Sequence, residues 1–404
     1  MLNIGLLGLG TVGTGVVEII NERKDAIKKS TGKSINIKRV MVNNLNKKRD
    51  IDISEISLTE DFEDILNDTE IDVIVEVTGD LESSYKYIIE GLNAGKHVVT
   101  ANKAVVSKYL GEFSSLAAEK NLAFLYEASV GGGIPVIKPL REQIELNEIN
   151  KVQGILNGTC NYILTRMINE DKDYREVLKV AQELGYAEAD PTADVEGHDT
   201  LRKLRILSTL GLQGKVTEED ILLYGIGSIN SLDIKNIKKM DSTVKLIAEA
   251  KKFGDGFTAI VQPTIVKNNN YFANVNMAYN SVAFEGDHVG ELKFYGPGAG
   301  KLPTANAVLN DVLDIGNNSY RKGNPLKDES LKNLNEEIKG KYYLRVSYIN
   351  NETNGTLKEL ANQVLCEDED MAIITNDMKL SKINSILSGL NLSKDRYFLA
   401  KIME

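Results

Sequence analysis

The sequence predicts an α/β protein built from two larger domains and a small C-terminal one, and three observations support this prediction. Its 404 residues exceed one ordinary hydrophobic core, since domains average about 150 residues. Apolar runs of strand length alternate with segments of helical periodicity up to about residue 130. A glycine-rich stretch at 131–135 ends this alternation, and strands and helices are grouped differently beyond it.

The first domain, residues 1–132, is predicted to contain a parallel sheet. Strands are expected at 2–7, 35–42, 71–77, 97–100 and 123–126. Helical segments separate them, and strands joined by helices pair in parallel through right-handed crossovers, with helices on both faces of the sheet. A helix at 303–320 is expected to return to this domain.

The second domain, residues 133–302, is predicted to have an α+β arrangement with a sheet of its own. Its expected helices cover 160–170, 174–184, 191–211 and 243–253, and its expected strands cover 152–156, 257–267, 279–284 and 289–295. The polar stretch 321–340 is expected to be a linker. The remaining part, 341–404, predicts a small β-α-β-type module, with strands at 341–349 and 396–403 and helical spacing at 355–365 and 379–390.

Composition argues against several classes of protein. The 48 Lys and Arg residues against 58 Asp and Glu give a net charge of −10, which disfavours nucleic acid or an anionic membrane as a partner. Cys160 and Cys366 lie far apart without metal-ligand spacing, so a reducing cytoplasm is expected rather than a disulfide framework or a zinc site. No signal peptide opens the chain and no apolar run approaches about 18 residues, so neither export nor a membrane span is expected.

A glycine motif joins the first strand to the helix after it. Gly8, Gly10 and Gly13 occupy the G-x-G-x-x-G positions of a Rossmann-type dinucleotide-binding turn. The first glycine permits the tight turn, the second lets the backbone approach a pyrophosphate, and the third allows close helix–strand packing, while the helix N-terminus favours the anion. A glycine turn in an unrelated α/β protein is the alternative, but strand, spacing and position favour a dinucleotide site.

The end of the second strand bears on cofactor preference. An NAD site usually places Asp or Glu there to bind the ribose hydroxyls. Here Asn43 and Asn44 follow the strand and the basic run 47–49 comes next, which favours NADP. An exposed basic loop is the alternative, because the two asparagines could bind ribose hydroxyls directly and NAD would then be accepted.

Two lysines are candidate site residues. Lys103 follows a strand of the parallel sheet at its carboxyl end, where such sheets bind ligands, although a lysine there is as often solvated. Asp199 and Lys203 have the i, i+4 spacing of one helix face, which is also that of an ordinary surface ion pair. The apolar stretch 204–210 predicts burial, and a buried lysine beside carboxylates is a candidate proton donor because desolvation favours its neutral form. Glu188 lies on the loop before this helix.

The stretch 127–135 combines Glu127 with three successive glycines. It is either a hinge or a site for a hard monovalent cation, because oxygen-only coordination requires backbone folded tightly around the ion. The glycine-rich stretch 295–300 is likewise a tight loop or a backbone approach to a cofactor. Cys160 is expected to pack as a small apolar residue rather than act as a nucleophile, since no histidine is near it in sequence.

Together these motifs resemble those of homoserine dehydrogenases over most of the chain. They occur in the order found in that family, at 8–13, 77–79, 100–103, 126–135, 154–159, 185–203, 296–304 and 307–308. The resemblance implies a first domain that binds NAD(P) and a middle domain that binds substrate and contributes to dimerisation. It further implies reversible reduction of L-aspartate 4-semialdehyde to L-homoserine in threonine, methionine and isoleucine biosynthesis. With no aspartate kinase domain before residue 1, a monofunctional enzyme is expected.

The resemblance also implies roles for individual residues. Lys203 is expected to be the proton donor and Lys103 a second lysine near the nicotinamide. Asp199 is expected to act in catalysis and, together with Glu188, in substrate binding. Cofactor contacts are implied for Gly8, Gly10, Thr11, Val12, Gly13, Arg49, Thr78, Gly79, Lys103 and Gly298. A sodium ion is implied at Glu127 and the carbonyl groups of Val130, Gly132 and Ile134.

The C-terminal stretch 341–404 resembles an ACT domain, a ferredoxin-like module that often mediates threonine feedback in this family. Its first loop, 350–357, departs from the usual acidic residue and Gly-Val-Leu. A homodimer or homotetramer is expected. Two alternatives are another Rossmann oxidoreductase acting on a small amino acid or sugar, and a non-catalytic amino-acid sensor. A sensor would have no need to retain Glu188, Asp199 and Lys203 together.

Overall fold

The computed structural model describes residues 1–327, 329–348 and 351–403, the side chains of Asn351 and Glu352 excepted. The chain forms two compact units. The first comprises Met1–Asn147, Thr209–Gly214 and Gly296–Glu329, and the second comprises Glu148–Ser208, Lys215–Tyr295 and Ser330–Glu404. Each unit is organised around its own sheet.

The first unit contains a six-stranded parallel sheet in the order β3-β2-β1-β4-β5-β6. Its elements up to residue 147 are β1 (Leu2–Leu7), α1 (Thr11–Thr31), β2 (Ile35–Met41), β3 (Ser57–Thr59), α2 (Glu63–Leu66), β4 (Val73–Glu76), α3 (Leu81–Asn93), β5 (His97–Thr100), α4 (Lys103–Glu119), β6 (Phe124–Leu125) and α5 (Ile137–Gln143). This is the strand order of the Rossmann fold, in which the direction of winding reverses between β1 and β4. The predicted fold class is therefore confirmed.

Burial on both faces explains why these strands read as short apolar runs. Ile4 and Leu6 of β1 and Val73 and Val75 of β4 are fully buried. Parallel sheets covered by helices on both sides lack the polar alternation of half-exposed strands.

The second unit begins with a set of helices and long strands. These elements are β7 (Ile149–Ile155), α6 (Gly158–Glu170), α7 (Tyr174–Glu183), α8 (Thr192–Val195), α9 (His198–Gly211), β8 (Leu222–Leu223), α10 (Ser231–Lys239), β9 (Ser242–Phe253), β10 (Gly256–Lys267), β11 (Tyr279–Gly286) and β12 (Gly290–Pro297). The region predicted as one helix over 191–211 is two helices, since Gly197 adopts φ +88° between them.

The next helix, α11 (Lys301–Asn317), belongs to the first unit and packs against α1. A Cβ atom on Gly15 would lie 2.9 Å from the Cβ of Ala305, so the two helices approach closely. Val308 and Val312 join the core formed by β1 and α1. The segment after Pro303 thus completes the first unit rather than continuing the second.

The C-terminal region extends the sheet of the second unit. Its elements are β13 (Lys332–Asn333), β14 (Lys339–Gly340), β15 (Tyr342–Ser347), α12 (Asn351–Leu360), β16 (Ala361–Glu367), β17 (Asp370–Thr375), β18 (Met378–Lys379), α13 (Leu380–Gly389) and β19 (Tyr397–Ile402). The sheet runs β12-β11-β7-β9-β10-β19-β15-β17-β16, and β8 and β13 also pair with β10. The order β19-β15-β17-β16 and the succession β-α-β-β-α-β are ferredoxin-like.

Two predictions in this C-terminal region need correction. The helical segment expected at 355–365 ends at Leu360 and is followed at once by β16. The stretch 321–340, predicted as a linker, contains β13 and β14, and β13 pairs with β10 at Gly256 and Phe257. The predicted strand 341–349 ends in Ile349, and the first loop begins with Asn350; both lie outside the described residues.

The prediction of a helix at 243–253 is wrong, because this segment forms strand β9. It pairs with β10 from Ser242 opposite Lys267 to Phe253 opposite Gly256, and with β7 along its other edge. Its Lys, Ala, Glu and Leu residues favour a helix locally, but hydrogen bonding at both edges and burial outweigh that preference. Gly254, at φ +60°, begins the two-residue turn that joins the hairpin.

Candidate functional sites in the two units

A cleft of about 290 Å³ opens in the first unit at the carboxyl ends of β1 and β4. Open α/β sheets bind ligands at this reversal point. The first turn of α1, which starts with Thr11 and Val12, holds no acidic residue, so no carboxylate counters the positive end of the helix dipole. Residues lining the cleft include Gly8, Gly10, Asn43, Lys47, Arg49 and Thr78.

The three motif glycines meet three different spatial requirements in this cleft. Gly8 adopts φ +100°, a conformation that other residues rarely adopt. A Cβ atom on Gly13 would lie 2.1 Å from the carbonyl oxygen of Gly8, so only glycine permits this helix–strand approach. A Cβ atom on Gly10 would meet nothing within 4 Å, and the open space there suits a bound pyrophosphate.

The loop after β2 carries cations rather than a carboxylate at the cleft. Arg49 donates hydrogen bonds of 2.7 Å from Nη1 to the carbonyl of Lys47 and from Nη2 to that of Asn44. These bonds shape the loop and keep the guanidinium group at the edge of the cleft. Asn43 occupies the position where an NAD site usually has an acidic residue.

A buried carboxylate at the end of β4 links two loops of this unit. Oε1 of Glu76 accepts hydrogen bonds of 2.7 Å from both the N–H and the hydroxyl of Thr78, which precedes Gly79 (φ +86°). Its Oε2 accepts one of 2.6 Å from the hydroxyl of Thr100. Asn102 caps the helix that begins with Lys103. Glu76 was not identified from the sequence, because only the fold brings β4 and β5 together.

Glu127 is buried in the short turn after β6, and its side chain reaches the start of α5. Its Oε1 accepts the N–H of Val136 at 2.5 Å and that of Ile137 at 2.8 Å, and its Oε2 accepts the N–H of Lys138 at 2.8 Å. Burial raises the pKa of Glu127. The pKa of Asp311, which accepts the N–H of Glu127, is also raised, first by burial and then by the charge of Glu127.

The glycine turn after Glu127 is a largely buried loop with carbonyl groups that accept no hydrogen bond from the described residues. Within the described part of the chain, no hydrogen bond reaches the carbonyl oxygens of Val130, Gly132 or Ile134. Gly132 adopts φ +57°, and a Cβ atom there would lie 2.5 Å from the backbone of Gly298. Gly298 therefore contacts this turn and is not among the residues that line the dinucleotide cleft.

The second unit brings Asp199 and Lys203 together near the start of α9. Lys203 Nζ donates a 2.8 Å hydrogen bond to Asp199 Oδ2 and one of 2.7 Å to the carbonyl oxygen of Leu156, which follows β7. The two residues are only 4% and 8% exposed. The pair is therefore buried, unlike an ordinary i, i+4 pair on a helix surface.

Asn157, which is buried, and Asp194, which is half-buried, complete this polar cluster. The Nδ2 group of Asn157 donates to Asp194 Oδ1 at 2.7 Å and to Asp199 Oδ2 at 2.9 Å. Its Oδ1 accepts the N–H of Cys160 at 2.8 Å and so caps α6. No role was predicted for either residue from the sequence, where the local signal was an asparagine directly before a helix.

Glu188 lies apart from this cluster in the structure. Its side chain is exposed, and its carbonyl oxygen accepts a hydrogen bond from Gln182 Nε2 at 3.0 Å. The loop that carries it is tied to α6 because the hydroxyl of Thr159 donates to the carbonyl oxygen of Tyr186 at 2.6 Å.

Cys160 has the environment of a structural cysteine. It is fully buried, and burial, followed by the charges of Asp194 and Asp199, raises the pKa of its thiol. A thiol that resists ionisation is a poor nucleophile.

The described residues hold no cluster of three or more His, Cys, Asp or Glu side chains suited to a metal ion. Nor does any helix among them have the length and apolar character needed to cross a membrane.

The parallel sheet, its glycine turn and the open cleft define a Rossmann-type dinucleotide-binding protein, and the family matches make it an NAD(P)-dependent oxidoreductase. Residues 8–127 match the family described as homoserine dehydrogenase, NAD binding domain, and residues 135–313 match the family described as homoserine dehydrogenase. The chain belongs to the homoserine dehydrogenase family.

Relatives cover most of the chain. The homoserine dehydrogenase of Bacillus subtilis is 44% identical over 314 residues, which are 78% of this chain and 72% of that protein. That of Neisseria gonorrhoeae is 37% identical over 382 residues, 92% of this chain and 87% of that protein. A crystal structure of a homoserine dehydrogenase from Thiobacillus denitrificans matches with a TM-score of 0.90 and 32% identity, covering 100% of this chain and 98% of that one.

Proposed function

We propose that this homoserine dehydrogenase catalyses the reversible reduction of L-aspartate 4-semialdehyde to L-homoserine, a step toward threonine, methionine and isoleucine. The observation that carries the proposal is the buried Asp199–Lys203 pair in a chain whose first unit has an intact dinucleotide-binding turn. Family membership supports the same reaction.

Lys203 is the proposed proton donor. When bound, the reduced nicotinamide supplies a hydride to the aldehyde carbon, and the carbonyl oxygen then needs one proton to become the alcohol. Lys203 supplies that proton, and Asp199 holds its ammonium group in place. Lys103 is proposed as a second lysine beside the substrate, and Glu188 and Asp199 as ligands of the substrate ammonium group. No covalent intermediate is required, which agrees with the buried thiol of Cys160.

Replacing Lys203 by Ala tests the proton-donor role. We expect Lys203→Ala to lower kcat by at least about 10²-fold with little change in the KM for the cofactor, because general acid catalysis contributes on that scale. Lys172→Ala is the matched control, since Lys172 forms an i, i+4 pair with Glu176 on the surface of the same unit. Near-normal turnover of Lys203→Ala would contradict the assignment and make Lys103 the first alternative.

NADP is the proposed cofactor, with NAD as the alternative. Lys47 and Arg49 at the edge of the cleft, and the lack of an acidic residue after β2, support a preference for the 2′-phosphate of NADP. Rates with NADH and NADPH measured side by side on aspartate semialdehyde test reaction and cofactor together. Equal kcat/KM values for the two would contradict the preference.

A sodium ion is proposed at the turn after Glu127. The carbonyl oxygens of Val130, Gly132 and Ile134 lack hydrogen bonds in the described structure, and Oε2 of Glu127 accepts only one, so these oxygen donors fit a hard cation. We expect a higher Tm in sodium chloride than in choline chloride of equal ionic strength, because an ion bound only to the folded state stabilises it. Identical melting in both salts would contradict the site.

The C-terminal module is proposed to be an ACT-like regulatory domain, with threonine as a candidate effector. Its ferredoxin-like strand order supports the fold of such a domain. Titrating the full-length enzyme with threonine should lower the rate if feedback operates, and a constant rate would contradict it. A homodimer or homotetramer is also proposed, and sedimentation of the purified protein tests it.

A further inference from the structure

We infer that Asn157 is a positioning residue that sets the geometry of the Asp199–Lys203 pair through its side-chain amide nitrogen. This inference rests on the roles proposed above for Asp199 and Lys203. Asn157 is 5% exposed and lies two residues after the end of β7, directly after Leu156, whose carbonyl oxygen accepts a hydrogen bond from Lys203. Two consecutive residues, Leu156 and Asn157, thus hold the lysine and its carboxylate respectively.

The amide of Asn157 supplies a neutral donor between the buried carboxylate of Asp199 and the half-buried one of Asp194. Its two N–H bonds go to Asp194 Oδ1 and Asp199 Oδ2, at 2.7 and 2.9 Å. With no donor between them, the two carboxylates would repel each other, and the buried carboxylate of Asp199 would lose a hydrogen bond that offsets its desolvation. Because the amide carries no charge, it donates one hydrogen bond to each acid without adding a second cation beside Lys203.

Asp199 Oδ2 is shared between the amide of Asn157 and the ammonium group of Lys203. Two donors converging on one oxygen fix the rotation of the Asp199 side chain, and Lys203 is then held by Asp199 and by the Leu156 carbonyl group. Catalytic groups must be placed to within a fraction of an ångström, since a misplacement of about 1 Å can cost about 10²-fold in rate.

Helix capping alone does not account for asparagine at this position. The cap of α6 uses only the side-chain oxygen of Asn157, which accepts the N–H of Cys160. Asp and Ser are equally good capping residues. Only an amide combines that acceptor with two N–H donors, and both donors point to the carboxylates.

The substitution Asn157→Asp separates positioning from capping. It keeps size and cap but removes both donors and places a third carboxyl group beside Asp194 and Asp199. We expect kcat to fall by about 10²-fold and to recover in part as the pH is lowered, because protonation of the introduced carboxyl group restores one donor. The KM for the cofactor should stay unchanged. The matched control is Asn230→Asp, since Asn230 caps α10 through its side-chain oxygen.

Turnover of Asn157→Asp equal to that of Asn230→Asp at every pH would overturn the inference. If Asn157→Asp does not fold, Asn157→Ser decides, because it keeps a capping hydroxyl and adds no charge. Asn157→Ser should lose kcat without recovery at low pH, and wild-type kcat in this variant would also overturn the inference. A full rate in Lys203→Ala would instead count against the proposed proton donor, so the two failures can be told apart.

Discussion

The turn between β1 and α1 shows how one short motif places three different demands on glycine. Gly8 is needed for its backbone conformation, Gly13 for its lack of a Cβ atom, and Gly10 for the empty space beside it. The first two demands concern folding of the turn itself. The third concerns only what binds there, so stability and cofactor affinity should respond separately to substitution.

Gly13→Ala and Gly10→Ala should therefore affect different properties: the first the stability of the fold, the second the affinity for the cofactor. Gly13→Ala forces a Cβ atom into the Gly8 carbonyl group, and we expect the free energy of unfolding to fall by roughly 1–3 kcal/mol. Gly10→Ala should leave Tm nearly unchanged but raise the Kd for NADPH by about tenfold or more. A loss of about 1.4 kcal/mol in binding free energy is enough for a tenfold increase in Kd. Thermal melting with and without NADPH measures both. A larger loss of Tm in Gly10→Ala than in Gly13→Ala would contradict this account.

Local spacing was sufficient to find some site residues and not others. The glycine turn and the Asp199–Lys203 pair each lie within one short stretch, so the sequence predicted both. Asn157 lies 42 residues from Asp199, and Leu156 lies 47 residues from Lys203. These residues come together only because β7 ends beside α9, and no local sequence pattern predicts that contact.

Strand β9 illustrates how tertiary pairing can override local preference. Its residues favour a helix locally, although the Gly254-Asp255-Gly256 turn after it is typical of a hairpin. Forming this strand buries Lys245, which is 1% exposed, and desolvation of its ammonium group is unfavourable. Its Nζ donates to the carbonyl oxygen of Val275 at 2.5 Å and to the side-chain oxygens of Asn161 and Asn276 at 3.1 and 3.2 Å. These acceptors are all neutral, so no carboxylate offsets its burial.

Lys245 should make the free energy of unfolding vary with pH in the alkaline range. Burial lowers its pKa to about 8, against about 10.4 in an unfolded chain. Between these values the unfolded chain holds a proton that the folded protein lacks, so the contribution of Lys245 to stability rises with pH in this window. Below about pH 8 both states are protonated and the contribution is constant.

Denaturant unfolding of wild type and Lys245→Met across this pH range measures the effect. The free energy of unfolding of the wild type, minus that of Lys245→Met, should increase by up to about 1.4 kcal/mol per pH unit above about pH 8. Lys267→Met is the control, since Lys267 is exposed at the end of β10. A difference that stays flat with pH would show that the buried ammonium group keeps its proton.

The C-terminal region is part of the larger sheet as well as a ferredoxin-like succession of elements. β19 pairs in parallel with β10 at Thr264 and Ile265, and Ile260 of β10 shares a core with Leu344 and Ile373. The predicted division into three domains stays a prediction. The sequence could not indicate this continuity, because the pairing of β10 with β19 joins strands far apart in the chain and depends on neither strand's own pattern.

A buried ion pair between Arg345 and Asp233 links this C-terminal region to α10. Removing either partner should destabilise the second unit. Arg345 of β15 is 1% exposed, and its Nε lies 2.9 and 3.1 Å from the two carboxylate oxygens of Asp233. Its Nη2 donates to the carbonyl oxygen of Ser228 at 2.5 Å, and Tyr343 also donates to Asp233, at 2.8 Å. Arg345→Leu leaves Asp233 buried without its cation, at a cost of about 3–5 kcal/mol.

We expect Arg345→Leu to lower Tm by about 10 °C, given about 2–4 °C per kcal/mol for a unit of this size. Asp233→Asn removes the charge but keeps the shape, so the double variant should be less destabilised than the sum of the two single changes. Arg396→Leu is the control, because the hydrogen bonds that Arg396 donates within the described residues go to the carbonyl oxygens of Ser347 and Tyr348 and to no carboxylate. Additive losses in the double variant would mean that Arg345 and Asp233 act independently. In that case β-sheet pairing and the shared apolar core, rather than the ion pair, would hold the C-terminal region in place.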